Sequence, residues 1–231
     1  QVTILEASGT FLAREDRDVA DEMLQILNAR GIEVILNSQT KELQEQDNYT
    51  TVVTSNGNFD AEAVLVAIGR KPATEELQLH NADIKTDERG YIITNDYLQV
   101  NEHIWAMGDV AKTPQFTYMS LDDYRIVRDQ LFGDSKRSRL DRKNIATSVF
   151  TYPTLAQVGL TEQQAKSAGL QFEVKKIAAN AIPKAKVLGQ TDGLLKAIVE
   201  KQSNRILGVP LFCAQAQELI NICKFAIDNN I

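Results

Sequence analysis

Apolar positions fall along this chain in continuous runs and at helical spacing, and the two patterns predict different elements. "VTILEA" at 2–7 is a short continuous run that reads as a buried strand, beginning almost at the first residue. In "DRDVADEMLQILNARG" at 16–31, Val19, Met23, Ile26 and Leu27 recur near one side of a helix, and Gly31 closes it in the C-cap region. "IEVIL" at 32–36 is the next strand, which completes a strand-helix-strand unit of the kind that builds parallel sheets. Within "YTTVVTSNGNFDAEAVLVAIG", the Ser-Asn-Gly-Asn turn at 55–58 suits a hairpin between polar-edged strands. The run Ala63 to Ile68 has no alternation, so it reads as a strand covered on both faces in the middle of a layered α/β domain.

A second region follows "RKPATEEL", with a turn at "TDERG" (86–90), short strands at "YIIT" and "IWAMG", and a helix from about Met119 to Phe132. "GDSKRSRLDRKN" is polar and aperiodic, which predicts a linker and a boundary near 140–145. Beyond it the pattern changes. "ATSVFTYPTLAQVGL" reads as strand, turn, strand, and "TEQQAKSAG" opens with Thr161 as a helix N-cap and Glu162 at the end the helix dipole favours. "QFEVKKIA" and "LLKAIVEKQSNRILGVPLF" supply further strands, the last two joined around Ser203-Asn204, before the helix "AQAQELINICKFAIDNN". This part predicts an α+β domain with largely antiparallel strands.

Composition narrows the function. With 231 residues, 43% of them hydrophobic, the chain can bury a sizeable core in one large or two smaller domains, which argues against disorder. A net charge of −6, with no basic run longer than the broken "SKRSRLDRK", argues against a nucleic-acid or anionic-membrane partner and makes that stretch a solvated loop. No apolar segment approaches the length of a membrane span and no basic head precedes an apolar signal core, so the expected compartment is the cytoplasm. Cys213 and Cys223, ten positions apart in an apolar helical stretch, form no CxxC pair and read as core residues. His80 and His103 are the two histidines, and no metal site is expected.

Four strand-end positions carry candidate chemistry. Glu6, at the end of the opening strand, is either a surface carboxylate or the acid that reads adenosine ribose hydroxyls in a dinucleotide-binding unit, where a carboxylate satisfies a diol and repels a 2′-phosphate. Gly69 and Gly108 each follow an apolar run, where a missing Cβ lets a ligand approach the main chain. Asp109 fits either an ordinary Gly-Asp turn or a ligand for a hydroxylated cofactor; a carboxylate suits a polyol better than a diphosphate. Arg70 reads as structural, capping loop carbonyls or packing over a neighbour.

"VLVAIGRKP", "IWAMGDV" and "VFTYPTLAQVGLTEQQAKSAG", in this order, closely resemble three markers of the class I pyridine nucleotide-disulfide oxidoreductases, the flavoproteins of the glutathione reductase, lipoamide dehydrogenase and mercuric reductase type. The resemblance runs over essentially the whole chain. "FTYMSLDDYRIVRDQL" and "NIATSVFTYP" look most like the bacterial reactive-chlorine-resistance flavoproteins within that family. The implied fold is α/β, with partial Rossmann-like NAD(P)-binding and FAD-binding regions followed by an α+β interface domain. The implied domains are 1–70, part of the NAD(P)-binding domain; 71–143, the returning segment of the FAD-binding domain; and 144–231, the interface domain, ending short of its C-terminus. By the resemblance, Asp109 accepts a hydrogen bond from the ribityl chain of FAD and Gly108 allows the approach. The backbone at Phe116 and Thr117 faces the flavin pyrimidine, Gly69 borders the nicotinamide dinucleotide, and Glu6 favours NADH over NADPH.

The same resemblance implies parts that these residues do not carry: an FAD-binding glycine turn, a CxxxxC pair, a second glycine turn before Glu6, and a late His-Pro with a following Glu. The expectation is therefore a central-to-C-terminal fragment of a homodimeric enzyme, inactive alone and holding no catalytic residue of its own. In the whole enzyme NAD(P)H reduces FAD, FAD reduces the cysteine pair, and the thiols reduce a small oxidant or disulfide. Two other readings stay open: a non-catalytic dimerisation module, and a flavin reductase of the same fold acting directly on a metal ion or quinone.

Overall fold

In a computed structural model that describes residues 1–231, the first apolar run forms β1 (Val2–Leu5), followed by α1 (Arg17–Ala29) and β2 (Ile32–Ile35). β1 and β2 pair in parallel from Val2 against Ile32 to Leu5 against Ile35, as the strand-helix-strand pattern predicts. α1 buries Val19, Ala20 and Met23, and Gly31 sits at φ +75°, the left-handed conformation that lets the chain turn out of a helix. A three-stranded antiparallel sheet follows, ordered β3 (Thr40–Glu45), β4 (Thr50–Thr54), β5 (Gly57–Ala61). The Ser55-Asn56 turn between Thr54 and Gly57 makes the expected hairpin of β4 and β5. β3 carries no sequence signal, because "TKELQE" has no alternation and all six residues are exposed.

The C-terminal sheet has five antiparallel strands: β8 (Thr147–Val149), β9 (Thr154–Gly159), β10 (Phe172–Ala178), β11 (Leu194–Glu200) and β12 (Ile206–Cys213), in the spatial order β10-β11-β12-β9-β8. Its helices are α3 (Glu162–Ser167), α4 (Pro183–Leu188) and α5 (Ala216–Asp228). Thr161 is the predicted N-cap of α3, its hydroxyl accepting from the N–H of Gln164 at 3.2 Å while the Gln164 side chain accepts from the N–H of Thr161 at 2.9 Å. One face of this sheet packs Ala156, Val158, Val209 and Leu211 under Ala216 and Ile220 of α5. Leu155, Leu194 and Phe212 pack with Val19 and Met23 of α1. Burying each such side chain stabilises by about 1.5 to 3 kcal/mol. Residues 1–65 and 144–231 accordingly form one compact unit, and 66–143 a second.

The first unit also contains a buried charge cluster. The Lys196 ammonium on β11 lies 2.9 Å from Asp16, 2.7 Å from Asp18 and 2.5 Å from Glu162, with no solvent exposure of its side chain. Oxygens of these three acids come within 4.8 Å of one another, and the lysine is the cation that balances them. Burial works to lower the Lys196 pKa, but the hydrogen bonds to Asp18, Glu162 and Asp16 outweigh it and hold the ammonium above its ordinary value. Burial likewise works to raise Asp18, and hydrogen bonds from Lys196 and Lys176 bring it below the ordinary carboxyl range.

The second unit is mostly turns around one helix. It holds the two-stranded β6 (Gln99–Asn101) and β7 (Ile104–Trp105), then α2 (Thr117–Phe132), over a core of Ile92, Leu98, Ala106, Ala111 and Ile126. Four sequence expectations change here. Ala63 to Ile68 forms no strand, and Leu65 and Ile68 are 90% and 91% exposed: a doubly covered strand needs a ladder partner and two packing layers, and no segment of this chain supplies them. "YIIT" makes only the bridge Thr86 to Ile92, and the "IWAMG" strand stops at Trp105. The basic stretch at 135–143 is not simply solvated. Arg142 is 11% exposed and pairs with Asp122 and Asp123, two α2 carboxylates that give it a fixed place.

Candidate functional site

The end of β7 turns sharply at Gly108. This glycine sits at φ +75°, and a Cβ there would come within 3.0 Å of the Ser120 hydroxyl, so conformation and space both favour glycine. Gly108–Ala111 then makes a single 3-10 turn that carries Asp109 outward. The Asp109 carboxylate makes no bond to its own turn; its partner is the Arg70 guanidinium at 2.8 Å. The two apolar runs "VLVAIGRKP" and "IWAMGDV" thus meet through the first polar side chain after each glycine. The reading of Arg70 as a cap for loop carbonyls is replaced by this ion pair, because a carboxylate is a better acceptor for guanidinium than a carbonyl.

α2 begins a few residues on. Phe116 is extended at φ −131° and ψ 142°, and no side chain caps the helix N-terminus, so the positive end of its dipole is open at Phe116 and Thr117. The Phe116 ring stacks on Tyr118 with centroids 5.4 Å apart. Burial pushes the Tyr118 phenol up, so it stays neutral at ordinary pH. Gly108, Asp109, Phe116 and Thr117, with Arg70 and Ser120, line one cavity of about 460 Å³. Chemically it offers a half-exposed carboxylate, a main chain bare at the glycine and a helix N-terminus, which together suit a neutral polyhydroxy chain joined to an electron-rich ring.

The other candidates lie elsewhere. Gly69 precedes Arg70 with φ +132° and nothing within 4 Å of an added Cβ, so backbone conformation alone explains the glycine there. Glu6, in the other unit, bonds its backbone N–H to Ile35 and accepts from the N–H of Ser8 at 2.7 Å through its carboxylate. Cys213 is buried in the core beneath α5 and Cys223 packs beside it, both thiols free and both pushed up by burial. Sequence reasoning missed Arg70 as a partner of Asp109 and missed Asp123. The signal for Asp123 was present: Met119, Asp123 and Ile126 share the buried face of α2, so an acid stands where the helical spacing asks for an apolar residue.

A parallel strand pair, a separate antiparallel α+β domain and a glycine-aspartate turn beside a helix N-terminus together define an α/β architecture with an appended antiparallel domain. Matches of the family profiles make this specific: the pyridine nucleotide-disulphide oxidoreductase profile matches residues 1–123 and the dimerisation domain of the same family matches residues 145–231. The chain belongs to the pyridine nucleotide-disulphide oxidoreductase family. It is 46% identical over 229 residues to the probable pyridine nucleotide-disulfide oxidoreductase RclA of Escherichia coli K12, covering 99% of this chain and 52% of that protein. To the mercuric reductase of Staphylococcus aureus it is 32% identical over 232 residues, 98% of this chain and 42% of the relative. The solved structure of the HOCl-induced flavoprotein disulfide reductase RclA from E. coli superposes with a TM-score of 0.96 at 45% identity, over 100% of this chain and 53% of that one. The chain spans about half the length of the curated relatives it matches. No helix is long and apolar enough to cross a membrane.

Proposed function

We propose that this chain is part of a flavin-dependent oxidoreductase that passes electrons from NAD(P)H through FAD and a cysteine pair to a small oxidant or disulfide. The observation that carries the reading is the convergence of Gly108, Asp109, Phe116 and Thr117 on one cavity. The residues fit FAD: Asp109 accepts a hydrogen bond from a ribityl hydroxyl with its remaining lone pairs, and Gly108 leaves the main chain open to the chain of hydroxyls. The N-terminus of α2, at Phe116 and Thr117, would hold the pyrimidine part of the flavin, where its dipole would favour negative charge. When bound, FAD supplies the redox chemistry that no side chain here has. Cys213 and Cys223 do not suit the thiol step, because their burial disfavours the thiolate that attacks disulfides. The cysteine pair of this proposal lies beyond these residues. In this proposal residues 1–70 belong to the NAD(P)-binding domain, 71–143 to the FAD-binding domain and 144–231 to the pairing domain, and the enzyme works in the cytoplasm.

Glu6 reads the adenosine ribose and Gly69 borders the nicotinamide dinucleotide in this proposal, which favours NADH because a carboxylate repels a 2′-phosphate. The full-length protein is expected to purify with about one FAD per chain and to be reduced under anaerobic conditions by NADH at least about tenfold more efficiently than by NADPH. A flavin-free protein sinks the cofactor assignment. Preference for NADPH sinks only the role of Glu6.

The partner is a second copy. Leu219, Ile222 and Phe225 recur at helical spacing on α5, opposite the buried Ala216 and Ile220, and Ile222 and Phe225 are 69% and 67% exposed. A one-sided apolar stripe on the main helix of a dimerisation domain is suited to meet its twin about a twofold axis. Light scattering of the full-length protein is expected to give a dimer, and the double variant I222D/F225D a monomer that keeps its far-ultraviolet dichroism. A dimer unchanged by both aspartates places the interface elsewhere.

A further inference from the structure

Asp123 has no solvent exposure, and its two oxygens are engaged from three sides. Oδ2 accepts from the backbone N–H of Gly108 at 2.6 Å and from the Thr113 hydroxyl at 2.7 Å. Oδ1 accepts from the Arg142 guanidinium, which also donates to Asp122 at 2.8 Å. Gly108 and Thr113 stand on either side of the 3-10 turn that bears Asp109, so a single oxygen of α2 pins both ends of that turn. Thr113 is itself buried, at 3% exposure, and its hydroxyl is directed to this acceptor.

We propose that Asp123 is a positioning residue: it holds the turn at 108–113 so that Asp109 presents its carboxylate to the cavity in the geometry a polyol requires. The inference rests on the reading of Asp109 as the ribityl ligand. Three properties point to positioning rather than plain core filling. First, an apolar residue would fill the same place on α2 without burying a charge, and burial of a charge needs the Arg142 partner and two further donors to offset it. Second, those further donors are the flanks of the one turn that carries the candidate ligand. Third, asparagine would not substitute, since its NH₂ would face either the donors on Oδ2 or the guanidinium on Oδ1, and only a carboxylate accepts on every side. Placing a ligand to within about 0.5 Å needs such support from behind. Asp109 has none from its own turn, and its Arg70 partner is 62% exposed.

The test is made in the full-length protein with FAD, measuring flavin dissociation and apoprotein unfolding together. Thr113→Val removes one donor at nearly constant volume and is expected to weaken FAD binding by up to about tenfold through the displacement of Asp109, the most that losing one hydrogen bond to a charged acceptor can transmit. Thr113→Ser restores the hydroxyl and is expected to return the affinity to about the native value. Asp123→Asn is expected to weaken binding further. If that variant does not fold, the two Thr113 variants decide. Because Asp123 acts through Asp109, T113V in an Asp109→Ala background is expected to cost no additional affinity. Loss of stability in T113V with unchanged flavin affinity, in a protein whose D109A variant does bind flavin weakly, would overturn the positioning role and leave the reading of Asp109 intact. An effect of T113V that adds fully to D109A overturns it equally. If D109A leaves flavin binding untouched, the reading of Asp109 fails first and takes this inference with it.

Discussion

Replacing Lys196 with alanine is expected to destabilise the unit of residues 1–65 and 144–231 by about 3 kcal/mol in urea unfolding. This is the lower end of the range for stranding buried charge, because Asp18 and Glu162 keep 25% and 30% exposure. The ammonium is the shared counter-charge of Asp16, Asp18 and Glu162. Without it three carboxylates stand within 4.8 Å of one another, with Lys176 at 3.3 Å from Asp18 and Lys166 at 3.9 Å from Glu162 as the remaining nearby cations. The pH response should change sign as well. In the native chain the folded-state pKa of Asp18 lies below the ordinary 3.8, so its stabilisation is complete above that value and is lost as pH falls through the folded value. The pKa of Lys196 is raised, so its share is complete below the ordinary 10.5 and is lost only as pH rises through the folded value. In K196A the crowded carboxylates repel, and protonating one relieves them. Mild acidification from neutral should therefore stabilise the variant relative to the native chain. A stability loss under about 1 kcal/mol, or parallel pH profiles, would show the cluster to be a solvated surface network.

The sequence displayed those parts of the fold whose side chains are covered from within the chain. Val19, Met23, Ile26 and Leu27 showed α1 through spacing alone, and Thr161 with Glu162 marked the start of α3, because caps and amphipathic faces are local chemistry. What covers α1 was not legible: its face packs on Leu155, Leu194 and Phe212, more than a hundred positions away, and nothing in a helical period names its partner. The opposite case is Ala63 to Ile68, whose apolar run predicts a strand covered on both faces; the structure has no strand there and leaves Leu65 and Ile68 exposed. Around the site, Gly108 and Asp109 stood out only as a Gly-Asp pair after an apolar run, which fits an ordinary turn as well as a ligand, so it was their place beside a second such strand end that drew them together. The roles of Arg70 and Asp123 were not legible, since a pairing 39 residues apart and an oxygen shared by two ends of a turn are products of tertiary geometry. The linker near 140 was half legible: its polarity was plain, but the grip of Arg142 on α2 depends on two adjacent aspartates meeting it in space.

Alanine at Asp109 is expected to weaken FAD binding by the full-length protein by about tenfold to a hundredfold, from the loss of one charge-assisted hydrogen bond of roughly 1.5 to 3 kcal/mol. The hydrogen bonds of Asp109 weigh against the competing turn reading. Were Asp109 a turn residue, its carboxylate would bond a backbone N–H of its own turn, and alanine would cost stability. Instead its partner is Arg70, and with Asp109 at 42% and Arg70 at 62% exposure that pair contributes no more than about 1 kcal/mol. Apoprotein stability should thus change by less than about 1 kcal/mol while flavin affinity falls. Arg70→Ala separates the two interactions. It removes the ion pair but leaves the carboxylate available to a hydroxyl, so it should leave FAD affinity within about threefold of native. Asp109→Asn keeps one acceptor oxygen without the charge and should fall between native and alanine. FAD dissociation measured by fluorescence recovery, alongside denaturation of each apoprotein, distinguishes these outcomes. A D109A variant that binds FAD as tightly as native, with R70A weakening it instead, would transfer the flavin contact from the carboxylate to the guanidinium and with it the polarity of the ligand group the cavity holds.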